Sequence, residues 1–124
     1  MNKSILFIHL IFSVKYRKKL LSTYGSEIKS DMIALSDKYN FDITTIEVDK
    51  DHIHLLIKYN PKYSISHIVK ILKSHTTNNL WRKYPTELKR YFWKKKIFWA
   101  SGYFVSSVGN ATEETIKNYI NNQG

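Results

Sequence analysis

Phe41-Asp-Ile-Thr-Thr-Ile-Glu-Val-Asp-Lys-Asp-His-Ile-His-Leu-Leu-Ile-Lys-Tyr59 decides the fold, because two β-rich runs flank one short polar turn. Phe41 to Val48 alternates in β-rich residues, Asp49-Lys50-Asp51 reverses the chain, and His52 to Tyr59 reads as the returning strand. These two runs predict a hairpin. On the returning strand Ile53, Leu55 and Ile57 fill the face a core would cover, so His52 and His54 leave the opposite face together. Alternate residues of a strand are roughly 7 Å apart, which lets two imidazoles converge on one cation. Asp51, beside His52, is placed to bond an imidazole from behind and fix its tautomer.

Working outward, Ser26 to Tyr39 places Ile28, Met32, Leu35 and Tyr39 at helical spacing with Lys29, Asp31 and Lys38 outside, and Asn40 as the stop. Upstream, Ser4 to Arg17 reads as a long strand. Leu6, Ile8, Leu10, Phe12 and Val14 share one face, and Phe7, His9, Ile11, Ser13 and Lys15 share the other. His9, Ser13 and Lys15 would therefore project into whatever the sheet binds. Downstream, Ser64 caps a second helix with Ile65, Ile68 and Leu72, extended by His75, as its buried stripe and Lys70 and Lys73 outward. Pro85 ends or interrupts that helix. From Leu88 to Trp99 five cations (Lys89, Arg90, Lys94, Lys95, Lys96) mix with Tyr91, Phe92, Trp93, Phe98 and Trp99, and no period is assignable. Gly102 to Val108 reads as a last strand, Gly109-Asn110 as a turn, and Thr112 as the cap of a final helix with Glu113 and Glu114 at its positive end.

The order β, α, β, β, α, β predicts an α+β fold: a ferredoxin-like (RRM-like) antiparallel sheet with helices on one face, plus a C-terminal helix carrying Tyr119. The length of 124 residues fits one domain, 1–124. Twenty Lys and Arg against ten Asp and Glu give a formal +10, a field that favours polyanions, nucleic acid first among them. There is no cysteine, so disulfides, zinc-thiolate sites and cysteine nucleophiles are excluded. The apolar run Ile5 to Phe12 contains His9 and is too short to span a bilayer. A cytoplasmic protein with no membrane partner is expected.

Tyr119 and Gln123 lie four residues apart and share a face of the last helix. If Gln123 reaches a cation held by His52 and His54, Tyr119 stands one turn away. Two imidazoles and a carboxamide are neutral and leave a divalent ion its full charge for polarising a phosphoryl oxygen. Tyrosine has a reference pKa of about 10, so the phenol needs help as a nucleophile, and the residues do not name a base. Attack on a phosphodiester would exchange one phosphoester for another and keep the linkage reversible without ATP.

Three blocks in order now carry a resemblance: Asp51-His-Ile-His-Leu-Leu-Ile57, then Gly102-Tyr-Phe-Val-Ser-Ser-Val-Gly109, then Tyr119-Ile-Asn-Asn-Gln123. Together with the opening His9-Leu-Ile-Phe-Ser-Val-Lys-Tyr-Arg17 they resemble the single-tyrosine HUH transposases of the smallest bacterial and archaeal insertion sequences, over nearly the whole chain. The resemblance implies a metal-dependent strand transferase. His52, His54 and Gln123 would bind Mg2+ or Mn2+, and Tyr119 would form a 5'-phosphotyrosine while freeing a 3'-hydroxyl. It also implies single-stranded DNA with hairpin ends as substrate, and a homodimer in which the tyrosine helix of one subunit serves the histidine pair of the other. The residues themselves leave docking in cis or in trans open. For DNA contacts, Lys15, Arg17, Lys70, Lys73, Arg82 and Lys83 would meet phosphates and aromatic faces would meet unpaired bases. Ser74 after Lys73 departs from the expected Gly.

Three other readings compete. An HUH nuclease of replication or plasmid nicking would share the chemistry but work with helicase or partner domains, and a domesticated transposase would act on genomic repeats. A histidine-triad nucleotide hydrolase needs a third histidine where Leu56 stands. A non-catalytic ferredoxin-like nucleic-acid binder would leave Tyr119 and Gln123 dispensable.

Overall fold

The structure, a computed structural model, describes residues 6–60 and 62–110. These form strand β1 (Leu6–Ser13), helix α1 (Leu21–Lys38), strands β2 (Asp42–Val48) and β3 (His52–Tyr59), helices α2 (Ile65–Lys83) and α3 (Pro85–Lys89), and strand β4 (Phe104–Asn110). The strands pair in the order β2-β3-β1-β4, every neighbour antiparallel. That is the expected ferredoxin-like sheet. The terminal helix expected from Thr112, with Tyr119 and Gln123, lies outside the described residues.

Alternation along the two central strands builds the two faces. Ile8, Leu10, Phe12 and Val14 of β1 and its extension pack with Ile53, Leu55 and Ile57 of β3, and both long helices bury their stripes there. From α1 come Leu21, Tyr24, Ile28, Met32 and Leu35; from α2 come Ile68, Leu72, Leu80 and Trp81. Burying one such large apolar side chain contributes about 2 kcal/mol, so this single layer is the main source of stability. On the other side Phe7 and Leu56 are fully buried against each other, with Val108 beside them.

Several boundaries differ from expectation, each for a local reason. β1 ends at Ser13, not Arg17, because Tyr16 and Arg17 take left-handed φ of 60° and 53° in a single tight turn, Lys15–Arg17. Such angles cost a non-glycine residue about 1 kcal/mol or more each. The backbone bonds Val14 N to Asp51 O (2.9 Å) and Lys15 N to Phe98 O (2.8 Å) hold the entry to that turn. Helix α1 starts at Leu21, not Ser26; Ser22, Thr23 and Gly25 are weak helix formers, but Leu21 and Tyr24 extend the buried stripe by a turn. Gly25 is needed there, since a Cβ would come within 2.7 Å of Val48 Cγ1. Asn40 ends the helix as expected, with φ of 58°.

Ser64 caps α2 as anticipated, its Oγ accepting from His67 N at 3.1 Å. His75 is half-buried and shares a 3.2 Å hydrogen bond with Tyr39 Oη, while Ser74 Oγ bonds back to Lys70 O at 2.6 Å. Pro85 both follows α2 and opens α3, where its missing N–H costs nothing. β4 runs to Asn110, so the expected turn at Gly109-Asn110 is strand: Gly109 faces Phe7 and Asn110 faces Leu6, with a register shift between Phe7 and Ile8 that absorbs Val108. Its start slips to Phe104 because Gly102 sits at φ 81°.

The unassigned stretch from Leu88 to Trp99 is pinned by its aromatics. Leu88, Phe92, Phe98 and Trp99 are buried, Trp81 Nε1 donates to Ile97 O (2.9 Å), and Trp99 Nε1 donates to Thr76 Oγ1 (2.9 Å).

Removing the α2 cap is a clean test of this assignment. Ser64→Ala should lower the stability by about 1 kcal/mol in a denaturant titration, and Ser64→Asp should restore most of it.

Candidate functional site

The sheet face opposite α1 and α2 carries a histidine cluster. The β1–β3 register sets Ser13 opposite His52 and Ile11 opposite His54, and alternation brings His9 to the same side. His9 is 1% exposed. Its ring stacks on His54 with centroids 5.2 Å apart, and its Nε2 shares a 3.1 Å hydrogen bond with His54 Nδ1. The ring of His52 stands edge-on to His54 at 4.9 Å.

Each histidine of the pair is held by one nitrogen. His52 Nδ1 donates to Asp51 Oδ1 at 2.8 Å. Asp51 is gripped from its other side by Arg17, with Nε to Oδ2 at 3.1 Å and Nη2 to Oδ1 at 3.4 Å. The proton on Nδ1 of His52 leaves its Nε2 lone pair for a ligand, and His54, bonded to His9 through Nδ1, offers its Nε2 in the tautomer that donates to His9. Burial lowers the pKa of His54, and the neighbouring His52 adds to this; burial and then His54 lower His9. Both effects favour the neutral ring of His54, the form that binds a metal.

Asp49, which the sequence reading placed only in the turn, comes to the same spot. Its Oδ2 lies 3.2 Å from His52 Nε2. Ligand atoms of Asp49, His52 and His54 all fall within 4.8 Å of one another, the one such group of three among the described residues. The donor set of two imidazoles and a carboxylate, with the His52 tautomer fixed by Asp51 and the His54 ring bonded to His9, fits a divalent cation. His9 was legible as a residue of the binding face but not as the partner of His54, because diagonal neighbours across two strands emerge only once register is known. Tyr119 and Gln123 lie outside the described residues.

The six expected DNA contacts are spread out. Arg17 is tied to Asp51, and Lys15 Nζ lies 5.5 Å from the centroid of the Tyr16 ring. Lys73 does not point into solvent: its Nζ donates to Ala100 O at 2.9 Å and to Gly102 O, and it lies over the Phe12 and Tyr103 rings. Burial lowers its pKa. Lys83 pairs with Glu27 at 3.7 Å, and Arg82 donates to Asn79 Oδ1 at 3.2 Å, at the far end of α2. Lys70 is exposed on the helix surface. No helix of the described residues is long and apolar enough to cross a membrane.

Comparison with known proteins gives a consistent answer. Residues 2–123 match the family described as "Transposase IS200 like". The chain is 31% identical over 116 residues to the ISDra2 transposase TnpA of Deinococcus radiodurans, covering 93% of this chain and 81% of that one. It is 32% identical over 118 residues to the transposase for insertion sequence element IS200 of Salmonella typhimurium, covering 93% and 74%. Among solved structures, one described as a transposase from Deinococcus radiodurans superposes with a TM-score of 0.76 at 29% identity, covering 99% of this chain and 98% of the other. A REP-associated tyrosine transposase bound to a REP hairpin shares the fold at a TM-score of 0.57 and 14% identity, covering 94% and 63%.

Two measurements follow from the geometry. Mn2+ titration calorimetry should show binding that His54→Ala abolishes and Asp51→Asn weakens by about tenfold or more. Bonds from His52 and Arg17 hold Asp51 at about 2, below its ordinary 3.8, so Asp51 stabilises the fold above pH 4 and loses that contribution as the pH falls toward 2. Thermal melts across this window should show a steeper acid loss for wild type than for Asp51→Asn.

Proposed function

The chain belongs to the IS200-like transposase family, and from that premise we propose that it cuts and rejoins single-stranded DNA at the ends of an insertion sequence through a covalent link to Tyr119. The observation that carries this reading is the His52–His54 pair, each ring hydrogen-bonded through Nδ1 and both on the sheet face opposite α1 and α2. His52 and His54 would hold Mg2+ or Mn2+, with Gln123 as the third donor and the Asp49 carboxylate within reach. When bound, the ion supplies positive charge at a phosphoryl oxygen and so eases attack at phosphorus. Asp51 and His9 then act by holding the two imidazoles in the correct tautomer and orientation.

In the cleavage step the phenolic oxygen of Tyr119 forms a bond to phosphorus and the bond from phosphorus to the 3'-oxygen breaks. In net, the phenolic proton ends on the departing 3'-hydroxyl, and the 5'-phosphate stays on the tyrosine. One phosphoester replaces another, so a later 3'-hydroxyl reverses the link and restores a continuous strand without ATP.

The substrate on this reading is single-stranded DNA that folds into hairpins near the element ends. The formal +10 of the chain supports a polyanionic partner, and a tyrosine transposase of the same fold has been solved bound to a REP hairpin. The protein would act as a homodimer, with the tyrosine helix of one protomer serving the histidines of its partner.

A denaturing gel tests the chemistry. With labelled hairpin DNA from the sequence flanking the gene, wild type and Mg2+ or Mn2+ should give a covalent protein–DNA band. Tyr119→Phe should lose that band completely while keeping its hairpin affinity, and omission of the metal should do the same. Cleavage that persists in Tyr119→Phe would sink the tyrosine mechanism.

A further inference from the structure

Behind the Lys15–Arg17 turn the described residues enclose a cleft of about 460 Å³, a size usual for a small-ligand site. Tyr16, Lys18 and the stretch from Arg90 to Lys95, with Ile97, line it. Its rings are unusually open for their size: Tyr16 is 63% exposed, Trp93 68% and Tyr91 38%. Tyr16 lies stacked toward Phe92 at 6.4 Å between centroids, and Phe92 is itself anchored on Phe98 in the core. The floor of the cleft is therefore part of the core packing. Its rim is cationic, with Lys18, Arg90, Lys94 and Lys95, and among the described residues no acidic one lines it. Open aromatic faces beside cations alone are the chemistry that recognises an unpaired base with its phosphates.

The cleft also has a fixed relation to the histidine pair. Tyr16 and Arg17 are consecutive and both left-handed, and Arg17 bonds the Asp51 that holds His52. One strained turn thus supplies a ring to the cleft and a guanidinium to Asp51, the partner of His52.

We propose that this cleft is a second subsite for single-stranded DNA, taking one unpaired base against the rings of Tyr16 and Trp93 and the adjoining phosphates on Lys18, Arg90, Lys94 and Lys95. The inference rests on the DNA-processing reading above and adds a place where a strand leaving the histidine site is gripped. It gives the basic and aromatic stretch from Leu88 to Trp99 a use that the chemistry at His52 and His54 does not need.

The full-length protein reports on this cleft by its own fluorescence, because Trp81 and Trp99 are buried and Trp93 is exposed. The probes are an oligothymidylate of roughly ten nucleotides and a strand of equal length carrying abasic sites. The base-bearing strand should quench tryptophan emission and bind about tenfold more tightly than the abasic one. Trp93→Ala should abolish the quench and bring the two affinities together without changing the melting temperature, and Tyr16→Ala should narrow the same gap. Lys94→Gln with Lys95→Gln should weaken both strands alike and flatten the salt dependence. Equal affinity for the two strands in wild type, or an undiminished preference in Trp93→Ala, overturns the proposal. A covalent Tyr119 adduct formed without any base preference at Trp93 rejects the subsite and keeps the strand-transfer reading; a Trp93-dependent base preference with no adduct on flanking hairpin DNA does the reverse.

Discussion

The pairing of β1 with β3 fixes which side of each central strand meets the helices. The two strands run in unbroken register from Leu6 opposite Tyr59 to Ser13 opposite His52. A slip of one residue would exchange the faces, sending Leu10, Phe12, Ile53 and Leu55 away from α1 and α2 and the histidines toward them. Neither exchange is tolerable, since it would expose the main apolar layer and bury polar rings without partners. The same constraint that stabilises the fold therefore aims His52 and His54.

The rear supports of those rings belong to three separate parts of the chain. Asp51 comes from the β2–β3 turn, Arg17 from the tight turn after β1, and His9 from the middle of β1. Charge is not simply displayed on such a surface. Arg17 and Lys83 are paired with carboxylates, and Lys73 is tied to backbone carbonyls, so part of the formal +10 holds the protein together. The cations around Tyr16 and Trp93, which have no acidic partner among the described residues, are better placed to meet a polyanion.

Local pattern made the central hairpin, the fold class and the histidine pair legible, because period-two alternation is read residue by residue. Asn40 and Ser64 were legible for the same reason, as end signals that act within a few residues. What escaped was set by distant partners. The early start of α1 depends on Leu21 and Tyr24 finding the core, despite the weak helix formers among them. The stretch from Leu88 to Trp99 is ordered by Trp81 and Thr76 of α2, which no local period announces. The extension of β4 through Gly109 and Asn110 follows from a shift in its pairing with β1. Asp49 and His9 joined the candidate site through register and turn geometry, whereas Asp51 could be named from adjacency alone.

The close approach of Gly25 to Val48 links the back of the molecule to its working face. Val48 is the last residue of β2, immediately before the turn that carries Asp49 and Asp51, and Leu21 N bonds to Lys50 O of that turn at 3.0 Å. Helix α1 thus serves as the anvil against which the acidic turn is set. A side chain added at position 25 has Val48 as its nearest obstacle, and the push is transmitted to residues that orient His52. To a geneticist such an allele would resemble a lesion in the histidine site, although the altered residue lies on the far side of the sheet and touches no substrate.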